Sequence, residues 1–400
     1  MKNVPEIRFV DTIYEKVKIK DIADINPRCE LPSVFYYIDL EAVVGNQIVS
    51  YRKVNKCQAP SRAQRLAYEG DIFYQMVRPY QKNNFFFNKK YCDYVFSSGY
   101  AQVRAKKNNE FLFVYFHTDV FTKQVLINCT GTSYPAINAE NFAKLNIMMP
   151  KDISESQKIS SYVFEINKCI NNTIKKIASL KQLKSACLIS MFPQQGETVP
   201  RVRFKGFDGE WKNIKLSECL EISKEINSDN VYSKEDVLSV SDEMGVMNQI
   251  KLLGRSYAGK SVSKYKILKP HQIVYTKSPL KDKPYGIIKE NCGETGIVSV
   301  LYAVFNTKEN VDPTYIHYYF EPKFRINKYL YPLVNKGAKN TMNISDDTTL
   351  DGFVYIPSSE AEQCQIASYF RNLDIQISEQ EKRLEKLKQI KAACLDKMFV

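Results

Sequence analysis

Two stretches of the chain show the hydrophobic pattern of a long amphipathic helix. Between residues 154 and 192, and again between 359 and 400, apolar residues recur at steps of three or four with no internal proline or glycine. This spacing is typical of the seam along which two helices pair. The predicted seam positions are Ile159, Val163, Ile166, Ile170, Ile177, Leu180, Leu183, Cys187 and Met191 in the first helix, and Ile366, Phe370, Leu373, Ile377, Leu384, Leu387, Ile390, Cys394 and Met398 in the second.

The two predicted seams align residue by residue at an offset of 207. One seam position is polar in both, Thr173 in the first helix and Gln380 in the second. A single polar seam residue can fix the register of a helix pair at some cost in stability. The matched seams therefore favour pairing of the two helices. The alternative is that each helix lies separately on its own domain, as amphipathic helices commonly do.

The chain also contains an internal duplication. The matching segments are 4–9 with 199–204, 17–20 with 214–217, 72–74 with 273–275, 111–116 with 315–320, and 191–192 with 398–399. The offset grows steadily from 195 to 207 residues, as small insertions into one duplicated unit would produce. Chance similarities would not keep a single order along the chain, so we predict a repeat architecture.

Each copy begins with short β-rich runs separated by Gly, Pro and Asn, and ends in the long helix. A chain of 400 residues has room for two domains of ordinary size. We therefore expect a mixed α/β (α+β) fold. The predicted segments are a first domain at 1–152, a first helix at 153–195, a second domain at 196–358 and a second helix at 359–400.

The composition favours a polyanionic partner. The formal charge is +13, with 57 Lys and Arg against 44 Asp and Glu. Such an excess suits phosphates, because Lys and Arg neutralise them and release counterions. Charge alone does not identify a DNA-binding protein, since many basic proteins bind no nucleic acid.

The cysteines and histidines indicate neither a metal site nor disulfides. The ten cysteines are scattered without a Cys-x-x-Cys pair, and His117, His271 and His317 lie far apart. The first residues lack the apolar run of a signal peptide. No stretch reaches the roughly 18 uncharged apolar residues that a membrane helix needs. We expect a cytoplasmic protein with reduced cysteines and no membrane association.

Several motifs resemble the specificity (S) subunit of type I restriction-modification systems. In residues 180–207 (LKQLKSACLISMFPQQGETVPRVRFKGF) a helix ends in Met-Phe-Pro and a Val-Pro-x-x-Arg-Phe segment follows. Residues 384–399 (LEKLKQIKAACLDKMF) repeat the helix end, and the loops 131–138 (GTSYPAIN) and 337–344 (GAKNTMNI) precede the helices. These motifs are weak singly and distinctive together, and the resemblance covers the whole chain.

The resemblance implies that each globular part is a target-recognition domain reading one half of a bipartite site in double-stranded DNA. It implies an antiparallel coiled coil of the two helices, two methyltransferase subunits docked beside them, and nuclease/translocase subunits added for restriction. The chain itself is then no enzyme and holds no cofactor, because S-adenosylmethionine, ATP and Mg belong to partner subunits. The matched ends Met191-Phe192 and Met398-Phe399 suggest equivalent docking sites for two copies of a partner.

The predicted DNA contacts combine base-reading and phosphate-binding residue types in loops. Arg, Asn and Gln can bond bidentately to base edges, whereas Lys mostly meets phosphates. In the first domain the predicted contacts are Arg62, Arg65, Gln75, Arg78, Tyr80, Lys82, Asn83, Asn84 and Ser133. In the second they are Arg255, Tyr257, Lys260, Lys264, Lys277, Lys281, Lys283, Lys339 and Asn340. The alternative for each is an ordinary solvated side chain.

One segment matches an enzyme motif. Residues 254–261 (GRSYAGKS) fit the phosphate-loop pattern G-x-x-x-x-G-K-[ST]. A phosphate loop needs a buried strand before it and a helix opening at the Lys-Ser pair. The residues that follow, up to Pro270, have an extended or turn-like pattern, and the match occurs in only one copy of the duplication. We therefore expect no ATPase.

A methyltransferase acting alone is also disfavoured. The chain has no Gly-rich cofactor loop and no Asn-Pro-Pro-Tyr or Asp-Pro-Pro-Tyr run to hold a flipped adenine. No Ser/His/Asp or Cys/His arrangement is supported by spacing. Two non-enzymatic alternatives stay open: a coiled-coil interaction scaffold and a stand-alone DNA-binding regulator. Salt-sensitive duplex binding would exclude the scaffold, and tight binding without a methyltransferase subunit would indicate the regulator.

Overall fold

The computed structural model describes residues 5–90, 93–336 and 342–399. The chain forms two compact units: the first unit comprises Met1–Lys175 with Glu381–Val400, and the second comprises Lys176–Gln380. Each unit takes one part of each long helix. The four predicted segments separate the globular parts from the helices, whereas the two compact units each combine globular and helical residues. The predicted segment boundaries therefore stay a prediction.

The first unit is built from short strands and helices that precede the long helix α5. In chain order they are β1 (Tyr14–Lys18), α1 (Ile19–Ile22), β2 (Ala23–Ile25), β3 (Val34–Ile38), β4 (Val43–Val44), β5 (Gln47–Ile48), β6 (Arg52–Asn55), β7 (Ala63–Leu66), β8 (Ile72–Gln75), β9 (Phe85–Phe86), β10 (Tyr94–Ser97), β11 (Tyr100–Ala105), α2 (Asn109–Tyr115), α3 (Asp119–Ile127), α4 (Ala139–Lys144), β12 (Asn146–Pro150) and α5 (Ile153–Ser190).

Two four-stranded sheets form the body of the first unit. Their strand orders are β6-β3-β10-β7 and β2-β11-β8-β9, and β1 pairs antiparallel with β12. Strand β8 is buried along its whole length, because it lies inside its sheet and packs under the short helices. The Tyr74 ring lies 5.5 Å from the Phe116 ring and 4.8 Å from the Phe142 ring. Aromatic packing of this kind fixes the helices on the sheet.

The second unit has a similar series of elements. In chain order they are β13 (Lys212–Lys215), α6 (Leu216–Cys219), β14 (Leu220–Ile222), β15 (Leu238–Ser241), β16 (Gly245–Asn248), α7 (Gln249–Leu253), β17 (Lys266–Leu268), β18 (Ile273–Thr276), β19 (Ile287–Glu290), β20 (Gly296–Val298), β21 (Tyr302–Thr307), α8 (Pro313–Phe320), α9 (Lys323–Leu330), β22 (Asn335–Lys336), β23 (Met342–Asn343), α10 (Asp346–Thr349), β24 (Phe353–Ile356) and α11 (Glu360–Lys397).

The predicted duplication is confirmed by the sheet topology. The sheet β14-β21-β18-β19 repeats the order of β2-β11-β8-β9, and the pair β13-β24 repeats β1-β12. The units differ in their other strands. Where the first unit has the sheet β6-β3-β10-β7, the second has the two-stranded ribbons β15-β16 and β17-β20. The two copies therefore share a common frame and differ in what is inserted into it.

Antiparallel pairing of the long helices is confirmed within each unit. In the first unit, Ile159 and Val163 near the start of α5 share a hydrophobic core with Cys394 near the end of α11. In the second unit, Leu188 near the end of α5 shares a core with Ile366 and Phe370 near the start of α11. The start of one helix thus packs beside the end of the other in both units, as an antiparallel seam requires.

One predicted seam position is wrong. Leu183 is 45% exposed, and the neighbouring Lys184 turns inward instead. Lys184 Nζ donates to a carboxylate oxygen of Asp374 at 2.7 Å and of Glu321 at 2.6 Å. The seam of α5 therefore includes a charged side chain that has two acidic partners, because a lysine buried without partners would be costly.

The matched helix ends are also corrected. Met191 and Phe192 are buried in the core of the second unit, and Met398 and Phe399 are buried in the core of the first. The Phe399 ring lies 5.6 Å from the Phe111 ring. These residues fasten each helix end to its unit and offer no surface for a docking partner.

A buried glutamate holds the segment that leads into each copy. Glu155 in α5 and Glu362 in α11 stand at the 207-residue offset of the seams. Glu155 accepts hydrogen bonds from the main-chain N–H groups of Phe9 and Val10, at 2.9 Å and 2.7 Å. Glu362 accepts two from the Arg203 guanidinium, at 2.7 Å and 2.8 Å. The two equivalent carboxylates thus hold the segments that lead into the two copies, and they do so through different donors.

We expect Glu362→Gln to destabilise the second unit by about 3 kcal/mol, because removing one partner leaves the half-buried Arg203 charge with a weaker acceptor. Urea unfolding followed by Trp211 fluorescence measures this, since the single tryptophan lies in the core of that unit. The matched control is Asp351→Asn, which removes the exposed 3.5 Å pair with Lys215 and should cost less than about 1 kcal/mol. Equal losses for the two variants would contradict the assigned role of Glu362.

Candidate nucleic-acid interface

The loop after β8 presents an arginine stacked on a tyrosine. Arg78 has a left-handed backbone (φ 53°) and opens a single 3-10 turn, Pro79–Gln81. Its guanidinium lies 5.0 Å from the centre of the Tyr134 ring, and its N–H donates to the Pro135 carbonyl at 2.8 Å. Tyr134 is 65% exposed. The structure therefore joins the predicted contacts Arg78 and Ser133, the exposed neighbour of Tyr134, on one surface.

Two predicted contacts of this loop lie inside the unit and are corrected. Gln75 and Asn84 are only 2% and 1% exposed. The Gln75 side chain donates to Gln81 Oε1 at 2.8 Å and accepts from the Asn83 N–H at 3.2 Å. Asn84 Oδ1 accepts from the Gln75 N–H at 2.9 Å. These amides shape the loop and have no surface to offer a duplex.

Lys82 and Asn83 are also engaged within the unit. Lys82 Nζ donates to the His117 carbonyl at 2.9 Å and to Asp119 Oδ1 at 2.6 Å. The hydrogen bond and charge of Lys82 hold the pKa of Asp119 below its ordinary value. Asn83 Oδ1 accepts from the Gly45 N–H at 3.3 Å. Of the predicted residues in this loop, Arg78 and the half-exposed Tyr80 remain available.

The other two arginines predicted in the first unit lie at strand β7, in the sheet β6-β3-β10-β7. Arg62 is exposed just before the strand, and its carbonyl accepts from the Ser98 N–H at 2.7 Å. Arg65 is half-buried within the strand, and burial lowers the pKa of its guanidinium. Within the described part of the chain, Arg65 Nε has no hydrogen-bond partner.

The first unit also contains a cluster of tyrosines that the sequence did not predict. The rings of Tyr36, Tyr51 and Tyr94 lie 5.2–6.4 Å apart, and Lys89 Nζ lies 4.2 Å from the Tyr94 ring centre. Tyr51 is exposed. Tyr36 and Tyr94 meet because β3 and β10 pair in parallel, with these two residues opposite each other. Aromatic residues at strand positions were the only signal in the sequence, and that signal equally indicates core.

The second unit also presents an arginine over a tyrosine. The Arg255 guanidinium lies 4.6 Å from the centre of the Tyr257 ring, and Tyr257 is 60% exposed. Lys260 and Lys264, farther along the same irregular segment, are exposed, as is Lys281 in the loop after β18. These five residues are accessible, whereas Lys339 and Asn340 lie outside the described residues.

The phosphate-loop motif has the wrong structural context. Gly254 ends the short helix α7 in a left-handed conformation (φ 77°). Lys260 and Ser261 lie in irregular chain that leads to strand β17. A phosphate loop would have a strand before it and a helix at its Lys-Ser pair, so this segment does not have the geometry of a nucleotide site.

Two lysines predicted as contacts in the second unit are bound internally. Lys277 Nζ donates to Asp346 Oδ1 at 2.7 Å. Burial raises the pKa of Asp346, but hydrogen bonds from Lys266 and Lys277 outweigh burial and lower it overall. Lys283 is buried, and its Nζ donates to Asp242 Oδ1 at 2.6 Å and to the Glu321 carbonyl at 2.8 Å. Lys283 is therefore corrected as a surface contact, and Lys277 reaches a phosphate only by sharing its amine with Asp346.

His117 lies behind the Arg78 loop and is neutral. Its Nδ1 is 2.7 Å from the Phe113 carbonyl, so Nδ1 carries the proton, and Nε2 accepts from the Asn46 amide at 2.6 Å. Burial lowers the pKa of His117 to about 4, and the charges of Lys391 and Lys82 act in the same direction. The imidazole closes one side of a small gap that Val163 and Leu395 also line.

Neither a metal centre nor a membrane span was found in the parts of the chain that the structure describes. No group of three or more His, Cys, Asp or Glu side chains among them could hold a metal ion. None of the described helices is long and apolar enough to cross a bilayer.

Comparison with known proteins shows which family and which folds the chain resembles. Residues 13–182 match the family model of the type I restriction modification DNA specificity domain. No curated protein matches the chain. Among solved structures, the chain is similar to the type I restriction-modification S subunit from M. genitalium, with 11% identity, a TM-score of 0.59 and 99% of each chain covered.

A second solved chain comes from work on complex assembly and conformational transition of the type I R-M system. It shares 19% identity with a TM-score of 0.53, over 98% of this chain and 99% of that chain. The predicted resemblance is confirmed: the chain has the fold of type I specificity subunits.

We expect the stability of the first unit to fall as pH drops below 6.5, because the unfolded chain takes up a proton that buried His117 refuses until about pH 4. Between pH 6.5 and pH 4 the free energy of unfolding falls by about 1.4 kcal/mol for each unit of pH, and above pH 6.5 His117 causes no such fall. His117→Gln removes this pH dependence, because glutamine does not titrate. Urea unfolding of both proteins at pH 7 and pH 5 should show the wild-type advantage shrink by about 2 kcal/mol. An unchanged difference would contradict a neutral His117.

Proposed function

We propose that this chain is the sequence-specificity subunit of a type I restriction-modification complex and reads a bipartite target in double-stranded DNA. The observation that carries the proposal is the duplicated frame: sheets of one order recur in two units, and the sheets of the first unit lie within the DNA specificity domain match. Two similar units suit two half-sites. The different strands inserted into each frame suit half-sites of different sequence.

The reading surfaces in this proposal are the two arginine–tyrosine pairs. Arg78 over Tyr134 and Arg255 over Tyr257 each place a guanidinium against an exposed aromatic ring. The ring limits the rotamers of the arginine, so that less entropy is lost when it forms two hydrogen bonds to guanine. Exposed Arg62, Lys260, Lys264 and Lys281 supply positive charge for phosphates. The net charge of +13 supports a polyanionic ligand.

The chemistry in this proposal belongs to partner subunits. Two methyltransferase subunits would bind along the paired helices, and nuclease/translocase subunits would join them for restriction. S-adenosylmethionine, ATP and Mg would then be held by those partners, and this chain would supply sequence recognition and no catalytic group. Half-exposed apolar residues along the helices, such as Ile174, Ile189 and Ile375, are compatible with such docking.

Long-read detection of N6-methyladenine in host DNA, with the gene present and deleted, tests the function. We expect methylation at one split motif, two short halves around a fixed gap, to disappear with the gene. Affinity purification of the tagged chain should recover a methyltransferase subunit. An expressed chain that leaves the methylome unchanged and recovers no methyltransferase would favour the scaffold or regulator alternatives.

We expect Arg78→Ala to weaken binding through the first half-site only, by roughly 1–3 kcal/mol for a lost bidentate base contact. The measurement is binding of the complex to duplexes in which one half of the methylated motif is altered at a time. Arg8→Ala is the matched control, because Arg8 pairs with Asp11 in the N-terminal segment of the first unit. Equal weakening on every duplex would identify Arg78 as a phosphate contact.

A further inference from the structure

A lysine occupies the same position in the two copies of the duplicated frame. Lys82 and Lys283 are 201 residues apart, the same offset that relates strand β8 to strand β18. Each lysine follows its strand at the end of the intervening loop. Lys82 Nζ donates to the His117 carbonyl at 2.9 Å, and Lys283 Nζ donates to the Glu321 carbonyl at 2.8 Å.

The two carbonyls are themselves equivalent. His117 directly precedes Thr118, the N-cap of α3, and Glu321 directly precedes Pro322, the N-cap of α9. Both lie at the junction between two consecutive helices of the frame, α2 and α3 in one unit and α8 and α9 in the other. Each copy therefore ties the far end of a loop to the same helix junction.

The second acceptor of each lysine differs between the copies. Lys82 also binds Asp119, in the first turn of α3, at 2.6 Å. Lys283 also binds Asp242, in the turn between β15 and β16, at 2.6 Å. The carbonyl bond is thus common to both units, while the carboxylate comes from unrelated elements. A bond shared by two otherwise divergent loops points to a task that both loops need.

That task is to fix a short segment at both ends. In the first unit the segment runs from the end of β8 to Lys82 and carries Arg78. In the second it runs from the end of β18 to Lys283 and carries Lys281. The strand holds one end, and the lysine bond holds the other. Immobilising a long lysine side chain costs rotamer entropy and desolvation, and the bond to the interior carbonyl offsets that cost.

We propose that Lys82 and Lys283 are equivalent positioning residues that fix the loops after β8 and β18, which carry the predicted DNA contacts Arg78 and Lys281, and that the two lysines do not themselves contact DNA. The assignment of these loops to DNA binding rests on the proposed function. The fixing of the loops rests on the geometry alone, so the two can be tested separately.

Amide hydrogen exchange on the full-length chain tests the positioning without DNA. With Lys82→Gln, exchange in residues 76–84 should rise about tenfold, the change expected for losing one hydrogen bond from a charged donor. Residues 277–286 should stay as in the wild type, and Lys283→Gln should reverse this pattern. The matched control is Lys107→Gln, which removes the charge of an exposed lysine in the first unit. Unchanged exchange in both loops would overturn the proposal.

Two further variants separate the carbonyl bond from the ion pair. Lys82→Arg keeps a charged donor and should retain most of the wild-type protection. Asp119→Asn removes only the acidic partner and should change exchange in residues 76–84 less than about twofold, as an exposed ion pair contributes little. If Asp119→Asn opened the loop as much as Lys82→Gln, the ion pair and not the shared carbonyl bond would hold it, and the proposed equivalence would fail.

Salt-dependent DNA binding distinguishes positioning from phosphate contact. For Lys82→Gln we expect discrimination at the first half-site to fall about tenfold while the slope of log K against log salt stays unchanged. A phosphate contact would instead reduce that slope by about one and leave discrimination intact, which would overturn the proposal. A wild-type complex without any sequence preference would refute the proposed function, and the exchange data would still decide whether the lysines fix the loops.

Discussion

The structure depends on burying one hydrophobic stripe from each long helix against the other. In the first unit, Ile159 of α5 shares its core with Met398 of α11, and in the second, Phe192 shares its core with Phe370. Each core is therefore completed by residues from distant parts of the chain. The largest core of each unit is thus not contained in one contiguous piece of sequence. The chain must accordingly lose the loop-closure entropy of bringing the helices together before either core is complete.

This constraint explains why the two copies kept some features and lost others. The seam residues must match because they fill shared cores, and a methylene too many or too few is felt in close packing. The buried carboxylates of Glu155 and Glu362 must also remain partnered, since an unpaired buried charge is costly. The identity of the donor is free, however: main-chain N–H groups serve Glu155, and the Arg203 guanidinium serves Glu362. The common frame thus requires that the buried carboxylate be hydrogen-bonded, whereas the donor can differ between the copies.

The helices and the duplication could be predicted because their signals are local and periodic. The expected helix from near Ser154 to near Phe192 is observed as Ile153–Ser190. The error at Leu183 arose because hydrophobicity alone selected the residue, whereas the structure turns Lys184 inward to meet Asp374. Strand pairing was beyond such reasoning. The parallel register that brings Tyr36 beside Tyr94 joins segments that are far apart in sequence, and no local pattern encodes it.

The candidate interface shows a second limit of prediction from sequence: residue type alone does not tell which polar side chains of a loop face a ligand. A polar side chain in a loop can face a ligand, or it can satisfy the main-chain groups that the loop leaves without ladder partners. Gln75 and Lys283 do the latter: Gln75 serves the Asn83 N–H, and Lys283 serves the Glu321 carbonyl. Arg78 escapes that use because its own main chain is satisfied through Pro135, which frees the guanidinium to stack on Tyr134. Residue type gives the capacity to bind DNA, and the hydrogen-bond requirements of the loop decide which residues can exercise it.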